Sequence, residues 1–130
     1  MKAISIRQPW AELIASGRKT IETRTWTTKY RGPILICAGK SWWVKACSDH
    51  LVYLPETVPV GQAVAIAELY SVQQMTQEHE AAAMLLVRPE LFAWHLRGVR
   101  RIAPFPVKGK LGIFDAPIPA EMNGDLSRMP

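Results

Sequence analysis

The stretch QAVAIAELYSVQQM, from Gln62 to Met75, is the longest run of strand character in the chain. Side chains alternate along an extended backbone, so Val64, Ile66, Glu68, Tyr70 and Val72 share one side and Ala63, Ala65, Ala67 and Leu69 the other. Both sides are largely apolar, and Glu68 is the charge among them. Two placements follow. Either Glu68 lies at a strand end and reaches water, or it meets a cation inside the fold, because an unpaired buried charge is costly. Lys19 and Arg24 are then the natural partners.

Outward from that strand, the N-terminal KAISIRQ alternates polar and apolar residues and predicts a short strand with one dry face. Pro9 suits the first turn of a helix, and Trp10, Leu13 and Ile14 follow at helical spacing. Gly17 is placed to end that helix in a left-handed cap. TIETRTW, from Thr20, is rich in β-branched residues and reads as a strand, as does the apolar run ILICA. Ser41 is placed to cap a helix over 42–50, and Thr76 a helix over 77–87. LFAWHLRGVRRI is open to either state, with its aromatic and β-branched content favouring strand. A loop, a short strand at LGIF and a Pro-rich exit close the chain, and 119–130 reads as a C-terminal tail. The expected fold is α+β: a small, mostly antiparallel β-barrel with two or three peripheral helices in a single domain, 1–118.

At 130 residues the chain is long enough to bury a core without staples. Hydrophobic residues at 48% and charged residues at 21% exclude a disordered chain. Apolar runs such as Ala81–Val87 are too short to cross a membrane, and the N-terminus lacks the apolar core of a secretory signal, so a cytoplasmic protein is expected. Cys47 and His50 are two candidate metal ligands, too few for a site, and no metal or cofactor is expected. The net charge of +5, from 16 Lys+Arg against 11 Asp+Glu, favours anionic partners, nucleic acid first. Five tryptophans add stacking surfaces if exposed, although at least three of them are expected in the core. His79 and His95 read as surface or satisfied histidines, and Arg100 and Arg101 as a charged strand edge or a phosphate patch.

Charge crowds into KTIETRTW. A strand there sets Glu22 beside Arg24, with Thr20 and Trp26 on the same face and about 7 Å between alternate residues. Lys19 has the opposite parity but stands at the strand entrance, where its long stem reaches either side. Periodicity leaves a solvated strand with an incidental ion pair and a pocket lining both open.

Gly17, Lys19, Glu22 and Arg24 form the pattern G-x-K-x-x-E-x-R, preceded by SIRQPWA. This resembles the signature of the ASCH domain, a family related to the PUA-like RNA-binding fold. GPILICAGK, GQAVAIAEL and AWHLRGVRRIAPFPVKGKLGIF resemble its second, central and C-terminal strands, so the likeness spans about residues 1 to 115 in order. The resemblance implies a PUA-like barrel with a cleft that binds RNA or a nucleotide-like ligand. It places Lys19, Glu22 and Arg24 in the cleft, with Glu68 as a fourth member and Gln8, Trp10, Trp26, Trp94, Lys108 and Lys110 around it. Trp10 and Trp94 read equally as core residues. Gly109 is expected to let backbone approach a ligand.

Three functions are open at this point. The first is a binding module for RNA, a nucleotide or a modified nucleoside, using cations for phosphate and indoles for bases. The second is a small metal-independent hydrolase, an amidohydrolase on acylated nucleosides or a ribonuclease, with Lys19, Glu22 and Glu68 as its catalytic set. Amidohydrolase relatives carry a nucleophilic threonine where this chain has Glu22. The third is a protein-interaction module in transcription or translation regulation, for which Trp42 and Trp43 are the candidate patch. A monomer is expected.

Overall fold

A computed structural model describes residues 1–43, 45 and 58–122. Its elements are β1 (Lys2–Gln8), α1 (Trp10–Ala15), β2 (Ile21–Arg24), β3 (Gly32–Trp42), β4 (Gln62–Gln74), α2 (Glu80–Ala83), β5 (Phe92–Pro106) and β6 (Ile113–Asp115). Single 3₁₀ turns cover Gln77–His79 and Ala120–Met122. The strands form one six-stranded sheet in the order β2-β5-β4-β3-β1-β6. β1 runs parallel to β3, and the other neighbouring pairs are antiparallel.

The fold is thus mostly-sheet α+β, but the expected barrel does not close. β2 and β6, the two ends of the sheet, are four and three residues long, and no ladder joins them among the described residues. β6 pairs with β1 only at Lys2–Ile4. Just beyond, the Ser5 carbonyl accepts a hydrogen bond from Arg24 Nη2 at 2.9 Å. A side chain spans the seam where a barrel would carry backbone ladder.

The alternation that suggested closure arises because both faces of the sheet are covered. Ile4, Ile6, Ile34 and Ile36 lie with α1 in one buried cluster, while Ala3, Leu35, Cys37, Phe105 and Met122 form a second. In β4 the period of two breaks. Ile36 pairs with Ala65 and Cys37 with Ala63, so β4 carries one extra residue at Val64. Val64 consequently joins the α1 cluster and Ile66 the opposite one, although alternation put them on a single face.

α1 buries five of its six residues against the sheet. Its N-terminal amides lack intrahelical partners, and the Gln8 side-chain oxygen takes the Glu12 N–H at 2.9 Å. Gly17 adopts φ +83 and ends the helix as expected. The turn returns the Lys19 N–H to the Leu13 carbonyl at 3.0 Å. The helix expected over 77–87 is cut to a 3₁₀ turn and the four residues of α2, ended by Met84 in the left-handed region at φ 59. Ser41 and Trp42 end β3 rather than opening a helix, and beyond Trp43 and Lys45 that predicted helix lies outside the described residues, as do Cys47 and His50.

Candidate functional site

The short α2 has a second reason to stop. Its terminal carbonyls, which have no intrahelical donors, are taken by the segment that leaves α1: Thr20 N–H donates to Ala82 at 3.0 Å, and Lys19 Nζ donates to Ala83. Lys19 is fully buried. Its amine lies 4.8 Å from the centroid of the Trp10 ring and 4.0 Å from Glu22 Oε1. Glu22, 6% exposed, accepts Arg24 Nε at 3.1 Å, and Arg24 Nη2 stands 3.0 Å from the same oxygen. Arg24 then reaches Ser5 across the seam. The result is a continuous row, from the Ala83 carbonyl through Lys19, Glu22 and Arg24 to the Ser5 carbonyl, stitching α2 to β1. Burial pushes the Lys19 amine below its ordinary value; Glu22 opposes that and Arg24 adds to it.

Two clefts open on either side of the Arg24–Ser5 bridge. The smaller, about 340 Å³, is lined by Trp10, Trp26 and Trp43 with Glu22, Arg7 and Arg88. The larger, about 870 Å³, runs between the end of β3 and the 106–112 loop and is lined by Lys40, Lys108 and Lys110. Ser5, Arg7 and Arg24 line both. The indoles are braced: Trp26 meets Trp94 edge-on at 4.8 Å, and Trp10 meets Trp43 edge-on at 5.5 Å, with Arg7 5.6 Å from the Trp43 ring.

Lys19, Glu22 and Arg24 therefore come together, and Trp10 and Trp26 line the same cleft as Glu22. Lys108 and Lys110 line the neighbouring one. The other candidates stand elsewhere. Gln8 is fully buried, and both ends of its amide are occupied, by Glu12 N–H and by the Pro59 carbonyl at 2.8 Å. Trp94 is 1% exposed and donates Nε1 to the Trp26 carbonyl at 3.2 Å, which makes it a support for the cleft. Glu68 is paired with Arg97 at 2.5 Å, not with Lys19 or Arg24. Glu22 faces Trp94, and Trp94 faces Val72, four residues along β4 from Glu68. Strand spacing and rise separate the α-carbons of Glu22 and Glu68 by about 15 Å.

Two further expectations change. Two of the five tryptophans, Trp10 and Trp94, are buried, while Trp43 is 39% exposed. His95 is not satisfied: its Nε2 is buried with no partner among the described residues. A side chain at Gly109 would meet Ser5 Oγ at 3.0 Å, so this glycine permits packing over Ser5. Arg101 is held by Glu12 through a fork to both carboxylate oxygens, as a structural pair. Arg7, Lys40, Trp43 and Arg88 were not anticipated as lining residues. Arg7 lies in SIRQPW beside Gln8 and Trp10, but Lys40 and Arg88 carry no local signal.

Fold and site together define a small α+β sheet domain with a charged row at the open seam of its sheet. Residues 4–106 match the ASCH domain family, and the chain belongs to that family. Its domains are generally RNA-binding or hydrolase-like. The chain is similar to the crystal structure of ASCH from Zymomonas mobilis, at 17% identity and a TM-score of 0.65, covering 99% of this chain and 95% of that one. A variant structure of that protein gives 16% and 0.61 over 99% and 98% of the two chains. A second gives 16% and 0.61 over 97% and 93%. At these identities the likeness concerns the fold. No curated protein matches the chain. No helix among the described residues is long and apolar enough to cross a membrane.

Proposed function

We propose that this domain binds an unpaired nucleotide, as a free ligand or as part of an RNA, in the tryptophan-lined cleft beside Glu22. The observation that carries this reading is the composition of that cleft: among the described residues, three indoles, three arginines and one carboxylate around about 340 Å³. Indoles stack on any base, guanidinium groups pair with phosphate, and a carboxylate accepts from the donor edge of a base. Binding is favoured over hydrolysis because Lys19 is committed to Ala83 and Glu22, Glu22 is committed to Arg24, and Glu68 is committed to Arg97. With their α-carbons about 15 Å apart, Glu22 and Glu68 are too distant to serve as general acid and general base on one reacting bond.

Titration of the protein with single-stranded RNA and with nucleoside monophosphates, read by tryptophan fluorescence, tests this. Quenching is expected, with affinity falling as salt rises. Trp43→Leu, at an exposed position, should weaken binding about tenfold, as the loss of one stacked base does. Unchanged fluorescence with every nucleotide and RNA would overturn the proposal, as would Trp43→Leu binding as tightly as the parent.

A further inference from the structure

We infer that the larger cleft is the phosphate-tracking half of a bipartite site, and that the ligand is therefore a single-stranded oligonucleotide, longer than the one nucleotide the tryptophan cleft holds. The inference rests on the nucleotide reading of the smaller cleft and goes beyond it in naming a polymeric ligand.

Continuity is the first ground. Ser5, Arg7 and Arg24 line both compartments, so the two compartments adjoin at Arg24, where a chain leaving the tryptophan cleft would enter the larger one. Charge is the second. Among the described residues, the ionisable lining of the larger cleft includes Arg7, Arg24, Lys40, Lys108 and Lys110 and no Asp or Glu. Of these five, Arg24 alone is paired with a carboxylate among the described residues. Cations that neutralise nothing inside the protein are what a phosphate backbone requires.

The third ground separates an oligonucleotide from a small anion. Leu111, between Lys110 and Gly112 on the same wall, is 99% exposed. A site for a simple phosphate gains nothing from an apolar side chain held in water. A nucleotide offers ribose carbons and a base face to cover it, as apolar side chains do when they contact or wedge between bases. The wall is also fixed in place. Side chains at Gly39 and Gly109 would stand 3.3 and 3.0 Å from Ser5 Oγ, so two glycines let β3 and the 106–112 loop close over β1. Lys108 and Lys110 flank that contact and are held next to the Arg24 bridge.

The test compares a nucleoside monophosphate with single-stranded homo-oligonucleotides of increasing length, by tryptophan fluorescence at several salt concentrations. It uses the parent protein and the double variant Lys108→Ala/Lys110→Ala. These lysines are exposed and their replacement leaves the fold intact, which circular dichroism verifies. Affinity of the parent should rise with length. The double variant should bind oligonucleotides at least tenfold more weakly and lower the salt slope by about 1.4, two single-strand phosphate contacts, while holding the monophosphate within about twofold. Gly109→Ala should shift oligonucleotide affinity in the same direction. If the monophosphate quenches fluorescence but added length brings no affinity, or if the lysine variant weakens both ligands equally, the bipartite site is wrong and the tryptophan-cleft reading stands. If inorganic phosphate competes as well as an oligonucleotide, the larger cleft is a simple anion site and the inference fails. If neither nucleotides nor oligonucleotides perturb the tryptophans, both readings fall.

Discussion

Lys19 carries an amine into a place without water, where the Ala83 carbonyl, the Glu22 carboxylate and the Trp10 ring hold it. Such an arrangement is expensive to break from one side, because the remaining partner becomes an uncompensated buried group. Lys19→Met should therefore lower stability by about 3 kcal/mol. It strands the Ala83 carbonyl and leaves Glu22 to Arg24 alone. Glu22→Gln should lose about 1–2 kcal/mol, and the double variant less than the sum, since the two residues share one interaction. Urea unfolding of the three proteins checks this, and additive losses would show that the 4.0 Å separation carries no coupling. The crowding of Lys19, Glu22 and Arg24 was legible in the sequence from their closeness along the chain, and the placement of Glu22 beside Arg24 followed from strand alternation. The partner of Lys19 was not, because Ala83 lies 64 residues away and offers a backbone carbonyl, which no side-chain pattern encodes.

Local elements deliver these residues, and their end signals can be tested separately from the charges. Gly17 turns the chain out of α1 at φ +83, and a side chain there would meet nothing within 4 Å. Gly17→Ala thus measures conformational strain alone and should lower stability by about 1 kcal/mol, with Gly17→Asn costing less because asparagine tolerates the left-handed region. Chemical denaturation checks both. Thr76 is the second signal: its N–H donates to His79 Nδ1 at 3.0 Å, which requires that nitrogen to be unprotonated. The His79 ring meets His95 edge-on at 5.0 Å, with Tyr70 of the adjacent β4 5.8 Å from His95. Burial, and then the charge of His79, hold His95 below its ordinary 6.5. As pH falls through 6.5 the unfolded chain takes up a proton that folded His95 resists, so the unfolded state binds more protons and stability drops. The loss should develop below about pH 6.5, end once folded His95 protonates, and shrink in His95→Phe. Unfolding midpoints between pH 7 and 5 measure it, and a profile identical in the variant would remove His95 as the cause. The sequence predicted a longer helix here from Thr76 as a cap, because a cap marks where a helix starts and does not reveal carbonyls claimed by another segment.

At the scale of the whole molecule, the strands and their covered faces were partly legible, since alternating strands announce a sheet with buried sides, whereas their order in the sheet was not. Whether the sheet closes was not, because closure depends on the lengths of the two end strands and on what takes the Ser5 carbonyl. The Val64 bulge hid a second fact: one inserted residue moves Ile66 to the opposite face, and no residue type marks it. The clefts inherit the first feature, since Ser5 and Arg24, which meet across the unclosed seam, line both. That makes Arg24 the residue at which architecture and ligand binding meet. Its guanidinium holds Glu22 through Nε and Nη2 and Ser5 through Nη2, and its side chain is 24% exposed. A lysine keeps the charge but presents one compact ammonium instead of a planar fork, so it cannot hold Glu22 and span the seam with the same geometry. Arg24→Lys should therefore resemble Arg24→Ala, each losing about 1–2 kcal/mol of stability and weakening RNA binding. Paired unfolding and binding measurements on both variants decide the point. A lysine variant as stable and as tight-binding as the parent would mean that Arg24 acts as a point charge and that the seam is held by the strands alone.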